Sequence, residues 1–240
     1  MSIPTKNGIP WTGLYRLDEP AVKPQYLDRL NTIFNRVNWG DDYENHRRLP
    51  HQKAIYPDTR CVSYIHNRNL QTPLGNISVD IYQDVCGLFP QPMTLLYSEL
   101  VLLTPYGTVG WHHDRMIVHH LSTRLMLPFT DNGDDITYYF TSWGPNVPTT
   151  PRFLADNGYV GSDLQEYTMR PGHYYVYNHR VPHKTVSRSS QRRGLLQLEL
   201  MPTEAYNNYL LPNGTVIKDG KWFDEMGAIS EFEKTKILRL

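Results

Sequence analysis

Arg193-Gly194-Leu195-Leu196-Gln197-Leu198-Glu199-Leu200 is the stretch that decides the fold. Its even positions are Gly194, Leu196, Leu198 and Leu200; its odd positions include Arg193, Gln197 and Glu199. A period of two is the strand period, with successive side chains on opposite faces. Arg193 therefore falls on the polar face. Working outward, Leu95–Leu103 reads as an apolar strand that breaks at Pro105-Tyr106-Gly107 and resumes as Thr108–His112. Thr123–Phe129 is another strand, with Arg124 and Met126 on one face and Leu125, Leu127 and Phe129 on the other. Asp131–Asp135 is a turn, followed by a strand over Ile136–Thr141. Glu166–Met169, a Pro171-Gly172 turn and His173–Asn178 complete the set. Short antiparallel strands flanked by helices predict a mainly β chain folded as a double-stranded β-helix, or jelly roll, over residues 61–202.

The flanks read differently. Residues 1–22 carry Pro4, Gly8, Pro10, Gly13 and Pro20 and read as irregular. From Lys23 to Trp39, Tyr26, Leu27, Leu30, Ile33, Phe34 and Val37 recur at helical steps, with Gly40 just past the expected end. Residues 1–60 thus form an N-terminal extension with one packing helix. Asn76–Val85 reads equally as a helix or a strand pair. Gly144–Gly161, with Pro145, Pro148 and Pro151, reads as a long loop and a candidate rim element. Residues 203–240 read as a C-terminal helical extension, with its helix over Phe223–Leu240.

The chain has 240 residues, enough for one domain with a substantial core. Lys+Arg and Asp+Glu are both 24, and the zero net charge argues against non-specific nucleic-acid binding. Cys61 and Cys86 are too few for a disulfide scaffold and suit free thiols in a reducing compartment. Met1–Lys6 lacks the apolar run of a signal peptide, so the expected location is cytoplasmic. No stretch approaches the roughly 20 apolar residues of a membrane span.

The chemistry concentrates at His112-His113-Asp114 and His183. On a strand, His112 and Asp114 project from the same face, roughly 6.5–7 Å apart at Cα, and His113 points away. The pair can reach one metal ion. His183 is the candidate third ligand, with His179 as its rival. Two imidazoles and a carboxylate, with open positions left, suit non-haem Fe(II); catalytic zinc accepts a similar set. The bland alternative has weight, because ten histidines make a His-x-Asp match unsurprising, and His119 and His120 read as surface residues. Arg193 follows His183 across a turn, so a hairpin would turn its side chain toward the same cavity. A guanidinium there can grip a carboxylate through two parallel hydrogen bonds. Arg124, on the face shared with Met126, could bind a second anion or form a salt bridge.

At these residues the chain resembles the aspartyl/asparaginyl β-hydroxylase group of Fe(II)/2-oxoglutarate oxygenases, which includes the small proline hydroxylases. The resemblance covers roughly residues 95–202. It is carried by His112-x-Asp114, Arg124-Leu125-Met126-Leu127-Pro128, Met169-Arg170-Pro171-Gly172 and Asn178-His179-Arg180-Val181-Pro182-His183, ending with Arg193. The resemblance implies iron on His112, Asp114 and His183, and 2-oxoglutarate on Arg193. It implies molecular oxygen as a reactant and an amino-acid side chain, peptidyl or free, as the hydroxylated substrate. The chain departs from the family pattern at Met126, where a His is usual, and at Ser187, where an Asn is usual. Two other readings compete: a non-catalytic jelly-roll binding module, and a cupin-type zinc or manganese enzyme.

Overall fold

A computed structural model describes residues 5–6, 9–10, 14–37, 62–67, 71–112, 122–130, 136–140, 165–177, 183–204, 208–210, 216–218 and 221–223. His113, Asp114, His119, His120, His179, Gly40, the 144–161 loop and positions 224–240 lie outside them. Strands β1 (Thr5–Lys6) and β2 (Ile9–Pro10) pair only with each other. Next come β3 (Leu14–Leu17), α1 (Pro24–Arg36), β4 (Val62–Asn67) and α2 (Pro73–Val85). The remaining core strands are β5 (Met93–Leu103), β6 (Thr108–His112), β7 (Thr123–Pro128) and β8 (Ile136–Phe140). They continue as β9 (Gln165–Met169), β10 (Tyr174–Tyr177), β11 (His183–Ser187) and β12 (Arg193–Pro202). A separate three-stranded sheet follows from β13 (Asn208–Leu210), β14 (Val216–Lys218) and β15 (Lys221–Phe223).

The core strands form two sheets, one in the order β3-β10-β7-β12-β5-β4 and the other β6-β11-β8-β9. Every described pairing within them is antiparallel. From β5 to β8 the chain steps from one sheet to the other at each strand, and it does so again from β10 to β12. The chain is a double-stranded β-helix.

Both faces of the six-stranded sheet are covered. Leu100, Leu102, Leu125, Leu127, Phe129, Leu196, Leu198 and Leu200 pack under the two helices. Val101, Leu103, Met126 and Leu195 pack instead between the sheets, with Val109, Ile136, Met169 and Tyr175. The leucine face of β12 is thus its outer face, and its polar face lines the interior. Tyr26, Leu30 and Phe34, spaced by four, form the buried stripe of α1. Burying such side chains contributes roughly 1.5–3 kcal/mol each. Helix α2 opens on Thr72, whose hydroxyl accepts from the Gly75 N–H at 3.0 Å, with Pro73 at the first helical position. The two helices are tied by Lys23–Asp84 at 2.7 Å and Arg29–Asp80 at 2.9 Å.

Three expectations change. Residues 14–17 are not irregular: they form an edge strand paired with β10. Four residues among prolines and glycines are too short for their period to be read. Helix α1 ends at Arg36, with Val37 already extended, earlier than the expected Trp39. The β-branched Val37 and the following Asn38 are weak helix formers. Asn208–Leu210, Val216–Lys218 and Lys221–Phe223 are strands within the stretch expected to be a helical extension, and Asn76–Val85 is helical within α2. No helix among the described residues is long and apolar enough to cross a membrane.

Candidate functional site

Strand β11 lies between β6 and β8 in the smaller sheet. His183, Thr185 and Ser187 form its buried face, alternating with the half-buried Lys184 and Val186. His183 is 2% exposed. Its register partner on β6 is His112, while Thr185 pairs with Val109. Three residue steps of β6 therefore span two of β11, a bulge at Gly110-Trp111. The bulge shifts the alternation of β6 by one residue. Position 112, rather than 111, then stands opposite His183. Directly paired residues across antiparallel strands sit roughly 4.5–5.5 Å apart and share a face. The two expected imidazole positions are thus neighbours, although 71 residues separate them in sequence.

The third expected ligand, Asp114, lies two residues past the end of β6 and outside the described residues. Among the described residues no group of three or more His, Cys, Asp or Glu converges. Two histidine positions paired across neighbouring strands are residue types that suit Fe(II) once a carboxylate joins them.

Arg193 opens β12 on the opposite sheet and is fully buried. Its register partner is Leu103, a residue of the interior cluster. The chain reverses between β11 and β12, so Arg193 belongs to the Ser187 end of the interior. That end is about 13 Å along the strand from His183, four residues at about 3.3 Å each. Close packing holds β12 here. The Gly194 N–H donates to Thr130 Oγ1 at 2.9 Å, and a Cβ at Gly194 would lie 2.3 Å from the Phe129 ring. That ring in turn stacks edge-on against Phe34 of α1, with centroids 5.4 Å apart.

Arg124 has found a partner inside the protein. Its Nε donates to Glu199 Oε2 at 2.7 Å, and Nη1 to Gln197 Oε1 at 3.3 Å. Of the two roles weighed for it, anion site or salt bridge, the salt bridge is the one formed. Ser122 Oγ donates to the other oxygen of Glu199, and the Tyr97 hydroxyl lies 3.5 Å from Oε2. Burial pushes the Tyr97 hydroxyl well above its ordinary range, and the nearby charges of Glu199 and Glu99 push the same way. Glu99 is buried on the same face, as the register partner of Gln197.

This buried polar group was only partly legible. The alternation in 193–200 puts Gln197 and Glu199 on the Arg193 face, but Ser122, Tyr97 and Glu99 join them through register alone. On β10, Tyr174 packs under the helices and Tyr175 faces the interior. The Tyr175 hydroxyl accepts from the Arg170 N–H at 2.8 Å.

No family model and no curated protein matches the chain. Among solved structures it is similar to HygX from Streptomyces hygroscopicus with nickel, 2-oxoglutarate and hygromycin B bound. That likeness has 14% identity, covers 80% of this chain and 84% of the other, and gives a TM-score of 0.49. AviO1 from Streptomyces viridochromogenes Tue57 is similar at 16% identity, over 79% of this chain and 89% of the other, with a TM-score of 0.44. SnoN, a non-heme alpha ketoglutarate dependent epimerase from nogalamycin biosynthesis, is similar at 12% identity, over 75% and 84%, also at 0.44. Neither HygX nor SnoN is an aspartyl/asparaginyl β-hydroxylase. At such identities and scores, no residue role passes from them to this chain.

Proposed function

We propose that this chain is an Fe(II)/2-oxoglutarate-dependent oxygenase. His112, Asp114 and His183 would hold the metal, and Arg193 would anchor the far carboxylate of the co-substrate. The observation that carries the reading is the cross-strand pairing of His112 with His183 beside an interior that also buries Arg193. When bound, iron and 2-oxoglutarate supply the oxidising power that puts an oxygen atom from O2 onto an unactivated C–H bond.

The chain's own residues supply position and shelter. His112 on the bulged β6 and His183 on β11 would hold the metal from paired strands, which hold a site more accurately than loops do. The Arg193 guanidinium would hold the far carboxylate, for which a planar fork of N–H donors is suited. The apolar cluster of Val101, Leu103, Val109, Ile136, Met169 and Leu195 keeps water from the co-substrate. Arg124 is paired with Glu199, so its part is to hold the interior face rather than to anchor 2-oxoglutarate.

The substrate class we propose is an amino-acid side chain, peptidyl or free, as the sequence resemblance implies. The test is anaerobic loading with Fe(II) and 2-oxoglutarate, then oxygen, with mass analysis against panels of peptides and free amino acids. A gain of one oxygen atom in one panel member, matched by succinate, is the expected result. Metal-dependent turnover without oxygen would point to the cupin-type zinc or manganese enzyme instead. Absence of both metal and 2-oxoglutarate binding would leave a binding module.

A further inference from the structure

The smaller sheet ends on β9 and the six-stranded sheet on β3, and residues of both edge strands line one cleft. It holds about 630 Å³, within the roughly 300–1,000 Å³ of ligand sites. Tyr175 of β10 stands in its wall. The Tyr175 hydroxyl accepts from the Arg170 N–H just past the end of β9, and the register partner of Tyr175 on β3 is Arg16. Arginines from the two sheets are thus brought to one tyrosine. Tyr15 and Tyr167 line the cleft with them.

The charge of this cleft has one sign. The whole chain is neutral, yet among the described residues no Asp or Glu lines the cleft beside Arg16 and Arg170. Arg16 donates to Asp18 at 3.0 Å, but both side chains are more than half exposed, and such a pair contributes little. The Arg170 side chain is exposed and makes no hydrogen bond or ion pair among the described residues. Its backbone is nevertheless fixed. In the turn that follows, Gly172 takes a φ of +75°, and its N–H donates to the Pro128 carbonyl at 3.1 Å. The oxygenase reading gives the Met169-Arg170-Pro171-Gly172 turn no task. Strand β3 is also open: β10 pairs with it on one side, and among the described residues no strand pairs with the other. Such an edge presents backbone N–H and C=O groups that an extended peptide can pair with.

We propose that this cleft binds an acidic peptide segment, which adds as an extended strand along β3 and brings its carboxylates to the guanidiniums of Arg16 and Arg170. The inference stands apart from the oxygenase reading, which assigns neither arginine a role. A guanidinium fork matches a carboxylate with two parallel N–H donors. Alternate side chains of an added strand share a face, so acidic residues two apart would enter the cleft together.

The test is fluorescence anisotropy of the full chain with a dye-labelled peptide, Thr-Asp-Thr-Asp-Thr, in the absence of metal and keto acid. Saturable binding is expected, and asparagine in place of both aspartates should abolish it. Arg170→Gln and Arg16→Gln should each raise the dissociation constant about tenfold, the lower end for one hydrogen bond to a charged group. Both variants should melt at the parental temperature, because both side chains are exposed. Methylating the peptide's amide nitrogens one at a time should weaken binding at alternate positions only, the mark of strand addition. No binding of the acidic peptide by the parent, or parental affinity in both variants, would overturn the site. Equal loss at every methylated position, or at none, would overturn strand addition along β3. Displacement of the peptide by acetate at equal concentration would overturn the peptide in favour of a free carboxylate. None of these results bears on the oxygenase reading, which the iron and 2-oxoglutarate experiments test separately.

Discussion

Arg193 and Arg124 are both inward-facing arginines on adjacent strands, and the proposed function gives them different tasks. Arg124 meets a fully buried carboxylate, Glu199, which also accepts from Ser122. Removing one partner of a buried pair leaves the other charge stranded, at a cost of about 3–5 kcal/mol. Arg124→Met should therefore lower stability by about that much in denaturant titration. Arg193→Lys should show the reverse pattern. The lysine keeps a positive charge but loses the planar fork, so 2-oxoglutarate binding should weaken about 10- to 100-fold. Fe(II) affinity should stay near parental. Calorimetry of the two variants under the same conditions checks both statements. If Arg193→Lys bound 2-oxoglutarate as tightly as the parent, the co-substrate anchor would lie elsewhere.

Strand periods told most at the scale of elements. The alternation in 193–200 already put Arg193, Gln197 and Glu199 on one face, and β12 carries them inward together. The strand over Thr108–His112 is found at those bounds. The bulge that seats position 112 opposite His183 could not be read, because a register shift leaves no mark in a single strand's pattern. Nor could the four-residue β3, whose period is too short, or the choice between helix and strand for Asn76–Val85, where Pro73 and the Thr72 cap decide for helix. The salt bridge of Arg124 was open for a similar reason: its partner lies 75 residues away and is set by strand pairing. One element-level contact makes a sharp demand. Gly194 leaves room for the Phe129 ring, on which α1 rests through Phe34. Gly194→Ala would place a methyl group inside that ring's space, and overpacking of this kind costs typically about 1–3 kcal/mol. The midpoint of urea unfolding should fall accordingly. A parental midpoint would mean that the ring and α1 move aside at no cost.

The whole molecule reads as a rigid double sheet, braced on one side by two helices and enclosing an interior with a graded chemistry. At one end stand the His112 and His183 positions, and at the other Arg193 and Ser187, with apolar side chains of both sheets between them. The buried Glu199 network belongs to the interior face of the six-stranded sheet. The proposed function puts the metal at the first end and the keto diacid's far carboxylate at the second. The most direct measurement is visible absorption of the protein during anaerobic addition of Fe(II) and then 2-oxoglutarate. A charge-transfer band should appear only when both are present, and His183→Ala should abolish it while the variant remains folded. The absence of a band in the parent protein, or a band of equal strength in His183→Ala, would contradict the account.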